Sequence, residues 1–379
     1  DKAQSGPGGD GGGNCQPVCV PFYVLHKMLA GMLDQYVRAG NAEALQIAIG
    51  MGDWVVQSVE GMIQRYGLTK WQGVLDTEWG GMNEALFNLY ELTGNTSPLT
   101  AAMRFNHYQW TAPLAIGQDN LDGSHGNIGG NHANTHIPEV VGSAKGYELT
   151  GNVTMKAIAT NFFNILTAGE HKHWDPARPG GHSYATGGSN AAEHWFAADK
   201  LGDSLLLDSP IRGYPHAGSH TEESCTTYNA LKVSRHLYSW GADATLADYY
   251  ERTLLNGILG NENLPHQVPS VPTKDPPHTI ELEYMLPLGG GGLRKPWGLA
   301  GPSGHFPCCW GTLSEQFAKL ADSIYYRSPD NSTLFVNVFA SSVLTWEQRS
   351  MVVTQNASGF LTSDQTTILN FESIPSAQV

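Results

Sequence analysis

Three cysteines and one glutamate stand where the sequence predicts the starts of helices, and together they could bind a metal ion. Cys308 and Cys309 come just before a predicted helix, whose start is indicated by the capping-box pair Thr312 and Glu315. The dipole of a helix favours thiolate over thiol at its amino end. We therefore expect these cysteines to act as nucleophiles or metal ligands.

Glu223 and Cys225 open a second predicted helix. In an extended approach to that helix, residues two positions apart point to the same side. One carboxylate and three thiolates form a tetrahedral ligand set suited to zinc. The sequence leaves an alternative open, in which Cys225 forms a disulfide with one of the two later cysteines while Cys15 pairs with Cys19.

Glu193 is a further candidate, in the segment HSYATGGSNAAEHW. The two adjacent glycines of this segment allow a tight turn or a close approach to a ligand. Glu193 stands beside His194 and Trp195, and aromatic surface of this kind raises the pKa of a carboxyl group, which suits a general acid. The alternative is an ordinary solvated glutamate at a helix start.

Two more segments combine amide, imidazole, carboxyl and indole groups at predicted helix starts, a composition that suits sugar binding. They supply these candidates: His132, Asn134 and His136 from NHANTHIPEV, and Glu78, Trp79, Asn83 and Glu84 from DTEWGGMNEAL. The same residue types also serve as structural helix caps and buried polar groups, so both interpretations remain open.

Repeated helical hairpins are the elements that must position these residues. Four segments place a glycine between two helical patterns: VRAGNAEAL, YELTGNTSPL, YELTGNVTMK and YSWGADATL. The first three of these glycines, Gly40, Gly94 and Gly151, lie 54 and 57 residues apart, and ELTGN recurs verbatim. A period near 55 residues predicts hairpins arranged around an axis, as in an α/α toroid or solenoid.

Residue composition and hydrophobic pattern divide the chain into three regions. Residues 1–19 are rich in glycine and predict a linker or insertion, and residues 20–326 carry the helical hairpins of the predicted barrel. Long loops between the hairpins would gather at one end and build a cleft. Residues 327–379 alternate apolar and polar side chains and predict the start of a β-sandwich. Because the strands there are too few to close a sandwich, we expect the carboxyl end to be incomplete.

Composition excludes several functional classes. Only 15% of the 379 residues are charged, and a net charge of -14 repels nucleic-acid phosphates and acidic membrane surfaces. No apolar run reaches the roughly 18 residues of a membrane-spanning helix, so we expect neither a nucleic-acid nor a membrane partner. Four glycosylation sequons make secretion to the extracellular space or cell wall a prediction, at Asn95, Asn152, Asn331 and Asn356.

Several of these motifs occur together in one order, from about Val20 to the carboxyl end. They are VPFYVLHKMLAGMLDQYVRAGN, EWGGMNEALFNLYELTG, HANTHIPEVVGSAKGYELTG, HSYATGG, EESCTTYNALKVSRHLYSW, YMLPLG and CCWGTLSEQFAKLADSIYY. This set resembles glycoside hydrolase family 127, the β-L-arabinofuranosidases, and especially its plant-type members. The resemblance implies a mainly α fold, an (α/α)6-barrel followed by β-sandwich material. It also implies a zinc ion held by one glutamate and three cysteines, and a retaining mechanism with a cysteine nucleophile.

The resemblance also implies roles for individual residues. Cys308 corresponds to the nucleophile and Glu193 to the acid/base, His136 to a substrate-binding histidine and Tyr284 to an active-site tyrosine. His132, in the same segment as His136, is a predicted substrate-binding residue from its type and position alone. The implied zinc ligands are Glu223, Cys225, Cys308 and Cys309. The chain departs from the family in lacking the leading barrel helices, so we expect another chain or a missing segment to complete the barrel.

The predicted function is a zinc-dependent retaining glycosidase that releases terminal β-L-arabinofuranose from cell-wall type glycoproteins or glycans. One alternative is a non-catalytic glycan-binding or structural extracellular protein on the same toroid. Another is a polysaccharide lyase, which would require a tyrosine or histidine base and a cationic cleft. The thiol cluster and the small number of basic residues, 21, argue against the lyase.

Overall fold

Eleven α-helices lie within the part of the chain that the computed structural model describes, namely residues 21–75, 79–121, 133–171, 223–263, 281–282, 308–358 and 366–373. None of these helices has the length and apolar character needed to cross a membrane. The helices are α1 (Pro21–Ala39), α2 (Ala42–Tyr66), α3 (Leu68–Val74), α4 (Met82–Thr93), α5 (Thr96–Arg104), α6 (Tyr108–Ala115), α7 (Ala133–Thr150), α8 (Val153–His171), α9 (Ser224–Gly241), α10 (Ala244–Thr253) and α11 (Cys308–Ala318).

The first three predicted hairpin turns are confirmed. Gly40, Gly94 and Gly151 end their helices with φ values of 67°, 69° and 70°, a left-handed conformation that costs glycine little. The asparagine that follows each of them caps the next helix. Asn95 Oδ1 accepts from the Ser97 amide at 3.0 Å, and Asn152 Oδ1 accepts from the Thr154 amide at 3.0 Å. The recurring ELTGN segment therefore produces the same turn twice.

The fourth turn differs from the prediction by one residue. Helix α9 continues through Gly241, and Ala242 takes the left-handed conformation with φ 51°. Asp243 then caps α10 by accepting from the Thr245 amide at 2.9 Å. Since Asp243 fixes the start of the next helix, the residue before it must make the turn, although it carries a Cβ.

The helices form an inner and an outer layer. Helices α1, α4, α7, α9 and α11 contact one another in that order, while α2, α5, α8 and α10 pack outside them as hairpin partners. The amino ends of α4, α7, α9 and α11 meet at one end of the molecule, as the side-chain contacts described below require. Helix α7 lies at the centre and is buried over most of its length.

Two glycines allow α4 and α7 to approach closely. A Cβ at Gly142 would lie 2.1 Å from the Asn83 side chain, and one at Gly146 would lie 2.8 Å from the ring of Phe87. Both distances are impossible for real side chains, so larger residues would push α7 away from α4. This close contact places Asn83 beside the second turn of α7, where its Nδ2 donates to the Glu139 carbonyl.

The strands are short and concentrated at the carboxyl end. Strand β1 (Glu262–Asn263) pairs with β2 (Glu281–Leu282), and β3 (Tyr325–Arg327) pairs with β4 (Leu334–Val336). Strands β5 (Ser342–Trp346), β6 (Met351–Ala357) and β7 (Thr367–Ser373) form an antiparallel sheet in sequence order. The predicted division of the chain at residue 327 and the β-sandwich remain predictions.

Candidate metal centre

The two predicted pairs of metal ligands come together at the amino ends of α9 and α11. Glu223 is the extended residue that precedes α9, Cys225 lies in its first turn, and Cys308 and Cys309 begin α11. One ligand atom from each of the four residues lies within 4.8 Å of the others. Glu223, Cys225 and Cys309 are fully buried, and Cys308 is half-buried.

The three cysteines are free thiols, so the alternative of a disulfide among them does not describe the structure. Cys15 and Cys19 lie outside the described residues, and their proposed pairing remains a prediction. A capping box at Thr312 and Glu315 is wrong because α11 begins four residues earlier, at Cys308. Thr312 Oγ1 instead donates to the Cys308 carbonyl at 2.8 Å, within the helix.

The geometry of the four residues fits a tetrahedral metal ion. Zinc–sulfur bonds of about 2.3 Å and zinc–oxygen bonds of about 2.1 Å place neighbouring ligand atoms roughly 3.6–3.8 Å apart. The Cys308 and Cys309 sulfurs are 4.0 Å apart, and the Cys309 sulfur lies 3.5 Å from Glu223 Oε1. One carboxylate and three soft sulfur ligands also match the chemistry that zinc prefers.

Hydroxyl groups orient these candidate ligands. Thr226 Oγ1 donates to Glu223 Oε2 at 2.9 Å, and Thr312 Oγ1 lies 2.7 Å from the Cys225 sulfur. Glu223 Oε1 thereby remains on the side of the thiols. Contacts of this kind fix the orientation of metal ligands and raise metal affinity.

Burial dominates the electrostatics of the thiols. It raises the pKa of Cys225 and of Cys309 well above the usual range, and the neighbouring Cys308 sulfur raises both values further. At these two cysteines burial therefore opposes the preference for thiolate that the helix dipole provides. A divalent cation among the sulfurs would supply the positive charge that the helix ends do not.

A second group of aromatic and polar side chains surrounds the first two turns of α7. His136 and Glu139 lie on α7 itself, Trp79 and His107 precede α4 and α6, and Trp110 lies in α6. We call these five residues the α7 cluster. His136 is 2% exposed and packs between Trp79 and Trp110, with ring centroids 5.0 and 4.7 Å away. Glu139 accepts from the Trp79 indole at 2.8 Å and from the His107 amide at 2.8 Å. His136 was predicted from the sequence, whereas Glu139 was missed because only its partners on other elements mark it.

Glu139 is a buried acid. Both of its hydrogen bonds favour the carboxylate, but burial outweighs them and raises the pKa of Glu139 to about 8. Burial also lowers the pKa of His107 to about 4, so this histidine does not supply a compensating charge near neutral pH. At pH 7 Glu139 therefore keeps its proton and His107 is neutral.

The remaining candidates of the DTEWGGMNEAL segment have structural partners. Trp79 and Asn83 are almost completely buried, and Asn83 Nδ2 donates to the Glu139 carbonyl at 3.0 Å. Glu84 forms an ion pair with Lys232 at 2.6 Å, which ties α4 to α9. Of the two interpretations that the sequence left open, these contacts support the structural one. Glu78 lies outside the described residues.

Several predicted site residues also lie outside the described residues: Glu193, His132 and Tyr284. Three of the four sequon asparagines are exposed, namely Asn95, Asn152 and Asn356, while Asn331 is half-buried with φ 57°. Their glycosylation remains a prediction.

Comparison with known proteins identifies relatives of this chain. The family model of the GH127 catalytic domain of β-L-arabinofuranosidases matches residues 11–322. No protein with a curated description matches the sequence.

Three solved structures resemble the chain. A GH127 β-arabinofuranosidase is 20% identical, with a TM-score of 0.58 over 89% of this chain and 46% of that one. A GH127 β-L-arabinofuranosidase from Geobacillus stearothermophilus T6 is 16% identical, with a TM-score of 0.56 over 93% of this chain and 53% of that one. A glycoside hydrolase is 15% identical, with a TM-score of 0.56 over 92% and 54%. The chain thus spans about half the length of these structures, and the similarity shows a common fold, mostly helical with a small sheet part.

Proposed function

Because the chain belongs to the GH127 β-L-arabinofuranosidase family, we propose that it is a retaining glycoside hydrolase that releases terminal β-L-arabinofuranose. Its substrates would be arabinofuranosylated glycans or glycoproteins of the cell-wall type, and the protein would act as a secreted enzyme. Since the chain spans about half of its structural relatives, this proposal concerns the chemistry of the site described here.

One observation carries the proposal, namely the convergence of one buried carboxylate and three free thiols at the amino ends of two inner helices. Glu223, Cys225, Cys308 and Cys309 would hold a zinc ion. When bound, zinc would keep the sulfurs ionised at neutral pH, although burial opposes this. Cys308 is the half-buried member of the set, whereas the other three are buried, which supports its assignment as the nucleophile.

The reaction would proceed in two steps at the anomeric carbon. The Cys308 sulfur attacks that carbon, the bond to the leaving group breaks, and the leaving oxygen takes a proton from Glu193. A thioglycosyl intermediate results. Water then attacks the same carbon, Glu193 takes the proton of the water, and the carbon–sulfur bond breaks. Two inversions retain the configuration of the sugar.

Substrate binding would involve His136 and Tyr284, as the family resemblance implies, and His132, which lies in the same polar segment as His136. Of these, His136 lies in the α7 cluster, where its ring is held against two tryptophans.

The proposal is tested by hydrolysis of an aryl β-L-arabinofuranoside, with the α anomer as the control substrate. We expect cleavage of the β anomer with retention, about one zinc per chain, and loss of both metal and activity after chelation. A protein that binds zinc and glycans without cleaving either anomer would be a binding protein, which contradicts the proposal. Glu193→Gln should spare cleavage of the bond between the anomeric carbon and the aryloxy oxygen of the activated substrate while slowing substrates with poor leaving groups, because only poor leaving groups need its proton.

A further inference from the structure

Two buried asparagines connect the candidate metal centre to the α7 cluster. Asn134 lies in the first turn of α7 and is 2% exposed, and Asn229 lies in the second turn of α9 and is 5% exposed. Asn229 Nδ2 donates to Asn134 Oδ1 at 2.7 Å and to the Cys225 carbonyl at 3.0 Å. One amide nitrogen therefore reaches both the helix of His136 and the backbone of a candidate metal ligand.

The geometry of an amide makes this connection rigid. The Asn229 amide is planar, and its two hydrogens have one partner each, on different helices. If Asn134 Oδ1 were removed, a buried N–H would lose its acceptor, and the side chain of Asn229 would turn to find another. The hydrogen bond to the Cys225 carbonyl would then be lost or weakened, and with it one constraint on the direction of the Cys225 sulfur.

Two further kinds of contact join α7 and α9 in the described part of the chain. Beside the asparagines, the helices meet through apolar side chains such as Ile137, Val141 and Val233, whose packing is not directional. At the far end of the helices, Glu148 accepts from His236 at 2.8 Å and from Trp240 at 3.0 Å. Those bonds fix the helices about three turns away from Cys225.

We propose that Asn134 and Asn229 act as one positioning pair, which sets the place of Cys225 relative to the turn of α7 that carries His136. The proposal rests on the proposed function, because it assumes that Cys225 binds zinc. It goes beyond that function in assigning a role in metal affinity to two neutral residues that are not among the four candidate ligands. Asn134, on a different helix from every candidate ligand, then influences metal affinity through Asn229.

A double-mutant cycle on zinc affinity tests the pair. Asn134→Ala, Asn229→Ala and the double variant are prepared reduced, and zinc affinity is measured by competition with a chromophoric chelator. We expect each single variant to lose about 10-fold in affinity. The zinc affinity of the double variant should be no lower than that of the single variant with the lower affinity, because the second substitution removes an interaction that is already broken. Charge-transfer bands of the cobalt-substituted protein should shift in the same way in all three.

The control is Ser234→Ala, which removes a buried hydroxyl that bonds only the Leu231 carbonyl of its own helix at 2.9 Å. Its zinc affinity should equal that of the wild type. Losses that add up in the double variant, or an Asn134→Ala variant with unchanged affinity, would overturn the positioning pair and leave the proposed function intact. If Asn229→Ala does not fold, the comparison of Asn134→Ala with Ser234→Ala decides alone. A wild-type protein that binds no zinc would overturn the proposed function and the pair together.

Discussion

Glu223 and Glu139 are both completely buried carboxyl groups at the same end of the helical layer, yet their surroundings differ. Glu223 lies among three thiols, with all four ligand atoms within 4.8 Å. Glu139 lies among indole and imidazole rings, and its two hydrogen bonds come from the Trp79 indole and the His107 backbone. The surroundings of Glu223 suit a cation, whereas both hydrogen-bond donors to Glu139 are neutral groups.

The two sites offset the unfavourable free energy of burying a carboxyl group in different ways. An ionised carboxylate without a counter-charge is too costly in an apolar interior, so it must gain a cation or keep its proton. Glu139 keeps its proton, as its raised pKa of about 8 indicates. Glu223 stands where a metal ion would balance it. Perturbations of the two sites should therefore change different properties, metal binding at one and pH dependence at the other.

The largest effect is expected at the metal centre, from Cys308→Ser. A serine hydroxyl is not ionised near neutral pH and binds zinc poorly, so turnover should fall by at least about 1,000-fold. Cys309→Ser should act mainly through weaker zinc affinity, and added zinc should restore part of its activity. Steady-state kinetics with and without added zinc make the comparison. Near-normal turnover by Cys308→Ser would show that this sulfur is not the nucleophile.

A change at Glu139 should appear as pH dependence instead. Between its usual pKa near 4.5 and the folded value of about 8, the folded protein holds a proton on Glu139 that the unfolded chain has released. Wild-type stability should therefore fall as pH rises through this window, relative to Glu139→Gln, by about 1.4 kcal/mol per pH unit. The difference should level off above pH 8.

Urea unfolding of the two proteins at pH 5, 6, 7 and 8 measures this difference. Any constant offset, such as the poorer match of an amide to two N–H donors, cancels in the slope. A stability difference that does not change with pH would mean that Glu139 is ionised in the folded protein.

Only one of the two sites could be predicted from the sequence. The four residues around Glu223 were predicted to come together because cysteines are rare in this chain and two candidate pairs of ligands stand at predicted helix starts. The ELTGN turns were also predicted, since glycine and asparagine determine a turn locally. The capping box at Thr312 was wrong because α11 begins at Cys308, so that Thr312 lies inside the helix and its hydroxyl donates to the Cys308 carbonyl.

Glu139 could not be recognised from its own segment. Its partners lie 32 and 60 residues away in the chain, on the elements that lead into α6 and α4. The sequence marks Glu139 only as one polar residue in a helix, and burial arises when three hairpins pack together. The link between Asn134 and Asn229 spans 95 residues and was hidden for the same reason.

Removing one hydrogen-bond donor from each carboxyl group shows which property of the protein depends on that donor, metal affinity at Glu223 or pH-dependent stability at Glu139. At the metal centre, Thr226→Val removes the hydroxyl that donates to Glu223 Oε2. We expect zinc affinity to fall by about 10-fold, because the carboxylate is then less firmly oriented. The matched control is Thr167→Val, whose buried hydroxyl donates to the Phe163 carbonyl at 2.9 Å in α8 and should leave zinc affinity unchanged. Equal zinc affinities in the two variants would contradict the orienting role of Thr226.

At the α7 cluster the corresponding change is Trp79→Phe, which removes the indole N–H from Glu139. A hydrogen bond to an ionised group is worth more than one to a neutral group, by about 1 kcal/mol. The variant should therefore be destabilised by about 1–2 kcal/mol at pH 5 and by about 1 kcal/mol more at pH 9, where Glu139 is ionised. Trp71→Phe is the control, because its buried indole donates to the neutral Arg104 carbonyl at 2.7 Å. Its cost in urea unfolding should be the same at both pH values, and an equal pH dependence in the two variants would remove Glu139 as the cause.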